Sequence, residues 1–114
     1  MTTLRQTAAG ISAARARRQR RARSVLGRAV DLLARKYHVR RIVLVGSLAG
    51  GRRFGFHSDI DLGVLGLPDG RFFEAAGDLL LLAGDLDIDL IPIERAPAAM
   101  AAKLREGEVL YDKG

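Results

Sequence analysis

The sequence predicts a small α+β domain in which a mixed β-sheet has helices packed on one side. Short β-branched runs that end in glycine turns alternate with segments whose apolar residues recur every three or four positions. The chain has 114 residues, of which 48% are hydrophobic and 28% charged, and this is typical of one domain with one core. Because there is no cysteine, disulfides and thiolate metal sites are excluded.

Two segments of different character make up the first third of the chain. Residues 2–23 are rich in alanine and arginine and have no apolar face, which predicts a solvated helix or a frayed arm. From Ser24 to Tyr37 apolar residues recur at helical spacing, which predicts a core-facing helix with Ser24 as its N-cap. We therefore divide the chain into a basic N-terminal extension, residues 1–23, and a domain, residues 24–114.

The remaining elements follow from β-branched runs, alternation and turn residues. The first strand is a continuous apolar run, whereas the next two strands alternate polar and apolar residues at their start. Pro68-Asp69-Gly70 is a strong turn signal after the second strand. The predicted strands are 42–45, 59–65 and 86–93 with a short terminal strand at 109–111, and the predicted helices are 71–83 and 98–105.

Charge is segregated along the chain. Residues 1–53 carry 14 Lys or Arg and one acid, a net charge of +13, whereas residues 54–114 carry 5 bases and 12 acids, a net charge of −7. The basic arm has three interpretations: a solvated tail, a docking surface for an acidic partner, or a nucleic-acid contact. Its lack of aromatic side chains favours the first two over nucleic acid. No apolar run approaches the roughly 20 residues of a membrane span, so we expect a soluble, cytoplasmic protein with no membrane partner.

Two identical Asp-Ile-Asp-Leu stretches need a chemical explanation. Because residues i and i+2 of a strand share a face, Asp59 lies beside Asp61, and Asp87 lies beside Asp89. If the two strands are neighbours, three or four carboxylates converge, and a divalent cation would relieve their mutual repulsion. Ligands that are all oxygen predict Mg²⁺, with Mn²⁺ as the alternative.

Gly46 and Ser47 follow the first predicted strand. A glycine lets the backbone approach a phosphate closely, and a serine hydroxyl with free N–H groups can bind the anion. A phosphate-binding turn close to a metal-binding pair of aspartates is the equipment of phosphoryl or nucleotidyl transfer.

These residues resemble the signature of the DNA polymerase beta-like nucleotidyltransferase superfamily. That signature is a hydrophobic strand, Gly-Ser, a spacer, Asp-x-Asp and a later third carboxylate, and it matches Ile42 to Ser47 and Ser58 to Leu62 here. In size the chain is most similar to the minimal nucleotidyltransferases (MNT), over about residues 24–111. The resemblance implies the nucleotidyltransferase fold, ATP as substrate, and an antitoxin that transfers AMP to a tyrosine hydroxyl of a HEPN-type toxin.

The resemblance also implies roles for single residues. Gly46 and Ser47 match the turn that holds the nucleotide phosphates, and Asp59 and Asp61 match the two metal ligands. The third carboxylate is assigned to Asp89, which would help to deprotonate the acceptor hydroxyl, with Asp87 as the alternative. The arginine that many relatives carry just after Gly-Ser is absent here, so Arg52 and Arg53 are the candidates to replace it.

A second hypothesis is a non-catalytic antitoxin or binding module, which binds a protein or RNA and keeps a vestigial aspartate cluster. Transfer to a small molecule is a third hypothesis, which a chain without a second, acceptor-binding domain disfavours. The segment 79–82 is apolar on too many sides for an isolated helix, which favours a homo-oligomer or a complex with a partner protein.

Overall fold

The computed structural model describes residues 4–45 and 60–114, so Gly46, Ser47, Asp59 and the pair Arg52 and Arg53 lie outside the described residues. Single 3₁₀ turns precede the second helix and follow the third strand. The helices and strands, in chain order, are α1 (Leu4–Lys36), β1 (Arg41–Val45), β2 (Ile60–Leu65), α2 (Phe72–Ala83), β3 (Ile88–Pro92), α3 (Ala98–Arg105) and β4 (Glu108–Asp112).

The four strands form one mixed sheet in the order β3-β2-β1-β4. β1 runs antiparallel to both β2 and β4, whereas β2 and β3 are parallel and are joined through α2. The C-terminal end of β1 therefore lies at the same edge of the sheet as the first residues of β2, β3 and β4. We refer to this edge as the site edge. The predicted α+β class with a small mixed sheet is confirmed.

The main core lies between one face of the sheet and the helices α1 and α2. α1 presents a stripe with helical spacing to this core, and alternate strand residues meet it from the sheet. The fully buried members are Ala22, Ala29, Leu33, Val39, Ile42, Leu44, Ile60, Leu62, Val64, Ala75 and Ala83.

A smaller second core lies on the opposite face, under α3. Val43 and Val45 of β1 are buried there with Leu104 of α3. This differs from the expectation that all helices pack on one side, because β1 is apolar on both of its faces and the second face must also be covered. The close approach depends on glycine: a β-carbon on Gly107 would lie only 2.6 Å from the backbone oxygen of Leu44.

α1 is one continuous helix through the predicted boundary at residue 23. Ser24 lies inside the helix, so the prediction that it caps a new helix is wrong. Ala22 is already fully buried, which shows that packing on the sheet begins before Ser24. The helix ends where His38 adopts a left-handed conformation with φ of 54°. Over residues 4–45 and 60–114, neither α1 nor any shorter helix combines the length and apolarity needed to cross a membrane.

A polar cluster joins the C-terminal end of α1 to α2. Asp78 accepts hydrogen bonds from the Tyr37 hydroxyl at 2.5 Å and from Lys36 Nζ at 2.8 Å. The Arg71 guanidinium lies 4.2 Å from the centre of the Tyr37 ring and donates to both carboxylate oxygens of Glu74. Burial raises the pKa of Tyr37 to about 12, while hydrogen bonds from Lys36 and Tyr37 lower the pKa of Asp78.

We expect Tyr37→Phe to reduce the free energy of unfolding by about 1 kcal/mol at neutral pH, because one buried hydrogen bond is lost. The pKa of Asp78 is lowered on folding from its ordinary value of 3.8, so its stabilising contribution is present above that value and is lost as the pH falls through the lower folded pKa. The difference between wild type and Tyr37→Phe should therefore shrink in acid, and urea unfolding at a series of pH values measures it. An equal difference at pH 7 and in strong acid would contradict this account.

Candidate functional site

Two of the predicted carboxylates lie side by side in the sheet. Asp61, the second residue of β2, is paired in register with Asp89, the second residue of β3. Neighbouring strands are about 4.8 Å apart, so these side chains leave the same face of the sheet from adjacent positions. Asp61 is half-buried and Asp89 is exposed. The structure thus brings together one residue from each Asp-Ile-Asp-Leu stretch.

The end of β1 lies beside this pair. Val45, its last residue, is the antiparallel partner of Asp61, so Asp61 lies between Val45 and Asp89 across the sheet. Gly46 and Ser47 come directly after Val45 in the sequence, and their predicted phosphate-binding role falls on residues outside the described ranges. The predicted metal ligand Asp59, which precedes β2, lies outside them as well.

Asp87 occupies a different position from Asp89. It precedes β3, and its backbone carbonyl accepts a hydrogen bond of 2.8 Å from the N–H of Ile60. This bond joins the start of β2 to the chain entering β3 and holds the two strands in register. The Asp87 side chain is exposed, and the residue that pairs with Asp61 is Asp89. Of the two candidates for the third carboxylate, the geometry favours Asp89.

Among the described residues, a second core covers part of the face that carries the carboxylates. The second core under α3 fills the region around Val43 and Val45, where Gly63 of β2 leaves room for the Leu104 side chain. Asp61 precedes Gly63 by two residues and therefore lies on the same face, nearer the site edge. The carboxylates thus stand beside an apolar floor, with Asp61 half-buried and Asp89 exposed.

The donor set fits a hard divalent cation. Mg²⁺ in proteins is held by one or two carboxylates, keeps several waters and takes its other ligands from substrate phosphates. Asp61 and Asp89 supply two carboxylates from rigid strands. Within the described part of the chain, no group of three or more His, Asp or Glu side chains is arranged around a metal position. A metal site with a third protein ligand would therefore need Asp59 or another residue outside the described ranges 4–45 and 60–114.

A second surface is apolar and lies on α2. The segment 79–82, which is expected to contact a partner protein or a second copy of the chain, is divided between the core and the surface. Leu79 is buried in the core, whereas Leu80 and Leu81 are 68% and 84% exposed. Phe73 is 87% exposed and lies seven and eight residues before these leucines, on the same side of the helix. We call Phe73, Leu80 and Leu81 the α2 apolar face.

No protein-family profile and no curated protein sequence matches the chain. Solved structures do match. A toxin-antitoxin complex crystallised with AMP-PNP contains a chain with a TM-score of 0.62 and 27% identity, and the match covers 75% of this chain and 73% of that one. A chain of an MntA-HpeT toxin-antitoxin complex with a Tyr→Ala substitution has a TM-score of 0.60 and 28% identity, and the match covers 76% of this chain and 72% of that one. A chain of a second MntA-HpeT complex, with two Asp→Glu substitutions, has a TM-score of 0.58 and 26% identity, and the match covers 74% of this chain and 70% of that one.

The chain is therefore similar in structure to proteins of toxin-antitoxin complexes. The similarity includes the mixed sheet and the helices around it, and it confirms the resemblance to MNT-type antitoxins that the sequence predicted. The site residues Gly46, Ser47, Asp59, Asp61 and Asp89 stay predictions.

We expect Asp89→Asn to leave the melting temperature unchanged or to raise it slightly in buffer without divalent cations. Like charges directly opposite each other on neighbouring strands are destabilising by a few tenths of a kcal/mol, and this change removes one of them. Added Mg²⁺ with a non-hydrolysable ATP analogue should raise the melting temperature of the wild type more than that of Asp89→Asn. Differential scanning calorimetry with and without the ligands measures both effects. A large loss of stability in Asp89→Asn would show that this carboxylate supports the fold instead.

Proposed function

We propose that the protein is a Mg²⁺-dependent nucleotidyltransferase that transfers AMP from ATP to a hydroxyl group of a partner protein, and that it acts as the antitoxin of a HEPN-type toxin. The observation that carries the proposal is the in-register pair of Asp61 and Asp89, beside the strand end from which Gly46 and Ser47 continue. The likeness to chains of toxin-antitoxin complexes, one of them crystallised with AMP-PNP, supports the nucleotide and the biological role.

The proposed reaction is an in-line displacement at the α-phosphorus of ATP. The oxygen of the acceptor hydroxyl forms the new bond to phosphorus, the bond to the bridging oxygen of the β-phosphate breaks, and pyrophosphate leaves with the bonding electrons. Asp89, the more exposed of the pair, takes the proton of the acceptor hydroxyl. Asp61 would help to hold the cation that neutralises phosphate charge, and Gly46 and Ser47 would bind the phosphates of the nucleotide.

Bound Mg²⁺ would neutralise charge on the phosphates and on the paired carboxylates. The residues proposed to hold it are Asp59 and Asp61. The position of the pair near the site edge, with Asp89 exposed, suits a hydroxyl on another protein as the acceptor.

The activity is tested by incubating the protein with ATP, Mg²⁺ and the protein encoded by the adjacent gene. Intact mass spectrometry then measures the AMP groups added to that partner. The wild type should add one or more AMP groups to the partner. Asp61→Asn and Asp89→Asn should each reduce the rate by a factor of about 10² to 10⁴, because a charge-stabilising ligand or a proton acceptor is lost.

Asp87→Asn is the matched control for Asp89→Asn. Both changes remove one exposed carboxylate from the same stretch, but only Asp89 pairs with Asp61. The control should retain most of the wild-type rate. An inactive Asp87→Asn with an active Asp89→Asn would reverse the assignment of the third carboxylate. Full transfer by all three variants would exclude the proposed site.

The α2 apolar face favours a second candidate function, that of a non-catalytic antitoxin. Exposed side chains of this size on one side of a helix are typical of a protein interface. The face lies on the side of the sheet opposite the carboxylates, because α2 packs in the main core. Masking of a partner through α2 therefore does not depend on Asp61 or Asp89.

We expect the double change Leu80→Ser and Leu81→Ser to weaken binding of the partner protein by at least about tenfold if the α2 apolar face is the interface. The chain's own stability should change little, because both side chains are exposed. Isothermal titration calorimetry measures binding, and Asp89→Asn, on the opposite face, serves as the control that keeps it. Unchanged binding by the double variant would exclude this face, and loss of binding in Asp89→Asn would place the interface at the carboxylates.

A further inference from the structure

The outer side of α1 carries a row of arginines that the proposed reaction does not use. Arg17, Arg20, Arg28 and Arg35 are separated by 3, 8 and 7 residues, so they fall within about 80° of one another around the helix. They lie on the side of α1 away from the buried stripe that includes Ala22 and Ala29. We call these four residues the arginine ridge. With a rise of about 1.5 Å per residue, the ridge is about 27 Å long.

The guanidinium groups of the ridge are available to a ligand. All four residues are exposed, and none forms an ion pair with another residue in the part of the chain that the structure describes. Arg21, beside the ridge, is engaged instead by Asp85. Asp31 is the acidic residue on the ridge side of α1, so the ridge keeps a clear excess of positive charge.

The ridge differs in chemistry from a protein interface. The centres of protein interfaces are built from large apolar and aromatic side chains, to which arginine is added, whereas Lys, Glu and Asp are depleted there. Among the residues whose exposure the structure describes, the exposed large hydrophobic side chains are Phe73, Leu80, Leu81 and Val109, and none of them lies in residues 12–36 of α1. Surfaces that contact nucleic acid are instead polar and strongly positive, and arginine pairs well with phosphate.

We propose that the arginine ridge binds the phosphate backbone of a nucleic-acid duplex without reading its sequence. The ridge is a cationic row along one side of a continuous helix, long enough to follow about eight base pairs. Aromatic side chains, which stack on the bases of single strands, are absent from residues 1–36. That absence argues against single strands and leaves duplex binding, which needs phosphate contacts alone.

This inference goes beyond the proposed function and does not rest on it. The carboxylates lie on the sheet face opposite α1, and the ridge faces away from the sheet. A duplex bound to the ridge is therefore not the acceptor of the transfer reaction, and loss of one activity leaves the other in place.

The experiment is fluorescence anisotropy with labelled DNA and RNA duplexes of one sequence, each about 16 base pairs, or twice the span of the ridge. The wild type should bind both duplexes. A plot of the logarithm of the binding constant against the logarithm of the salt concentration should have a slope of about −3 to −4 if each arginine contacts one phosphate. The ridge variant changes Arg17, Arg20, Arg28 and Arg35 to Gln. It should bind at least about tenfold more weakly than the wild type, and the magnitude of its salt-dependence slope should be smaller by about 3. Glutamine is a good helix former, so α1 should persist, and circular dichroism checks this.

The matched control removes four positive charges elsewhere. Arg95, Lys103, Arg105 and Lys113 are exposed on the C-terminal part of the chain, and changing all four to Gln gives the same net charge as the ridge variant. The control should keep affinity within about threefold of wild type. Equal weakening of both variants would show that overall charge, not the ridge, binds the duplex, and would overturn the proposal.

Two further comparisons decide the chemistry of the ligand. Equal affinity for the DNA and RNA duplexes supports recognition of the phosphate backbone, and a preference for one of them identifies the source of the duplex. Labelled poly-L-glutamate of matched charge is the probe for an acidic polypeptide. Binding of poly-L-glutamate as tight as that of either duplex, or no duplex binding by wild type at about 50 mM salt, would overturn the proposal.

Discussion

The in-register parallel pairing of β2 with β3 is the constraint on which the candidate site depends. Asp61 and Asp89 meet because Ile60 and Leu62 of β2, and Leu90 of β3, are all buried on the side of α1 and α2. A slip of one residue in either strand would move its apolar side chains to the other face and its aspartate into the core. Burial of these apolar residues thus fixes the side on which the carboxylates stand.

Within the described part of the chain, the two faces of the sheet are covered to different extents. α1 and α2 cover the first face, whereas the second face carries a smaller core, built on Val43, Val45 and Leu104 of α3. Gly63 and Gly107 let α3 and the chain that follows it approach the sheet closely. The second core is therefore thin, and Asp61 and Asp89 lie beside it near the site edge.

Local signals in the sequence were sufficient for the elements but not for their arrangement. Turn residues and periodicity located α2, α3 and the strands to within about two residues, and the alternation around Asp61 and Asp89 gave the correct face. The continuity of α1 was missed because residues 2–23 have no apolar stripe, and a helix that projects beyond the sheet needs none. The division of segment 79–82 was not predictable, since which leucines are buried depends on how α2 lies on β2 and β3.

The separation of charge along the sequence becomes a separation in space. The arginine ridge faces away from the sheet on the far side of α1, a helix about 10 Å across, whereas Asp61 and Asp89 stand on the opposite face of the sheet. The ridge is therefore farther from the carboxylates than the Debye length of about 8 Å at physiological salt. Cations so placed neither pair with the carboxylates nor repel a divalent ion from them. The chain can thus carry a high positive charge and still offer a carboxylate pair with the negative field that a metal ion requires.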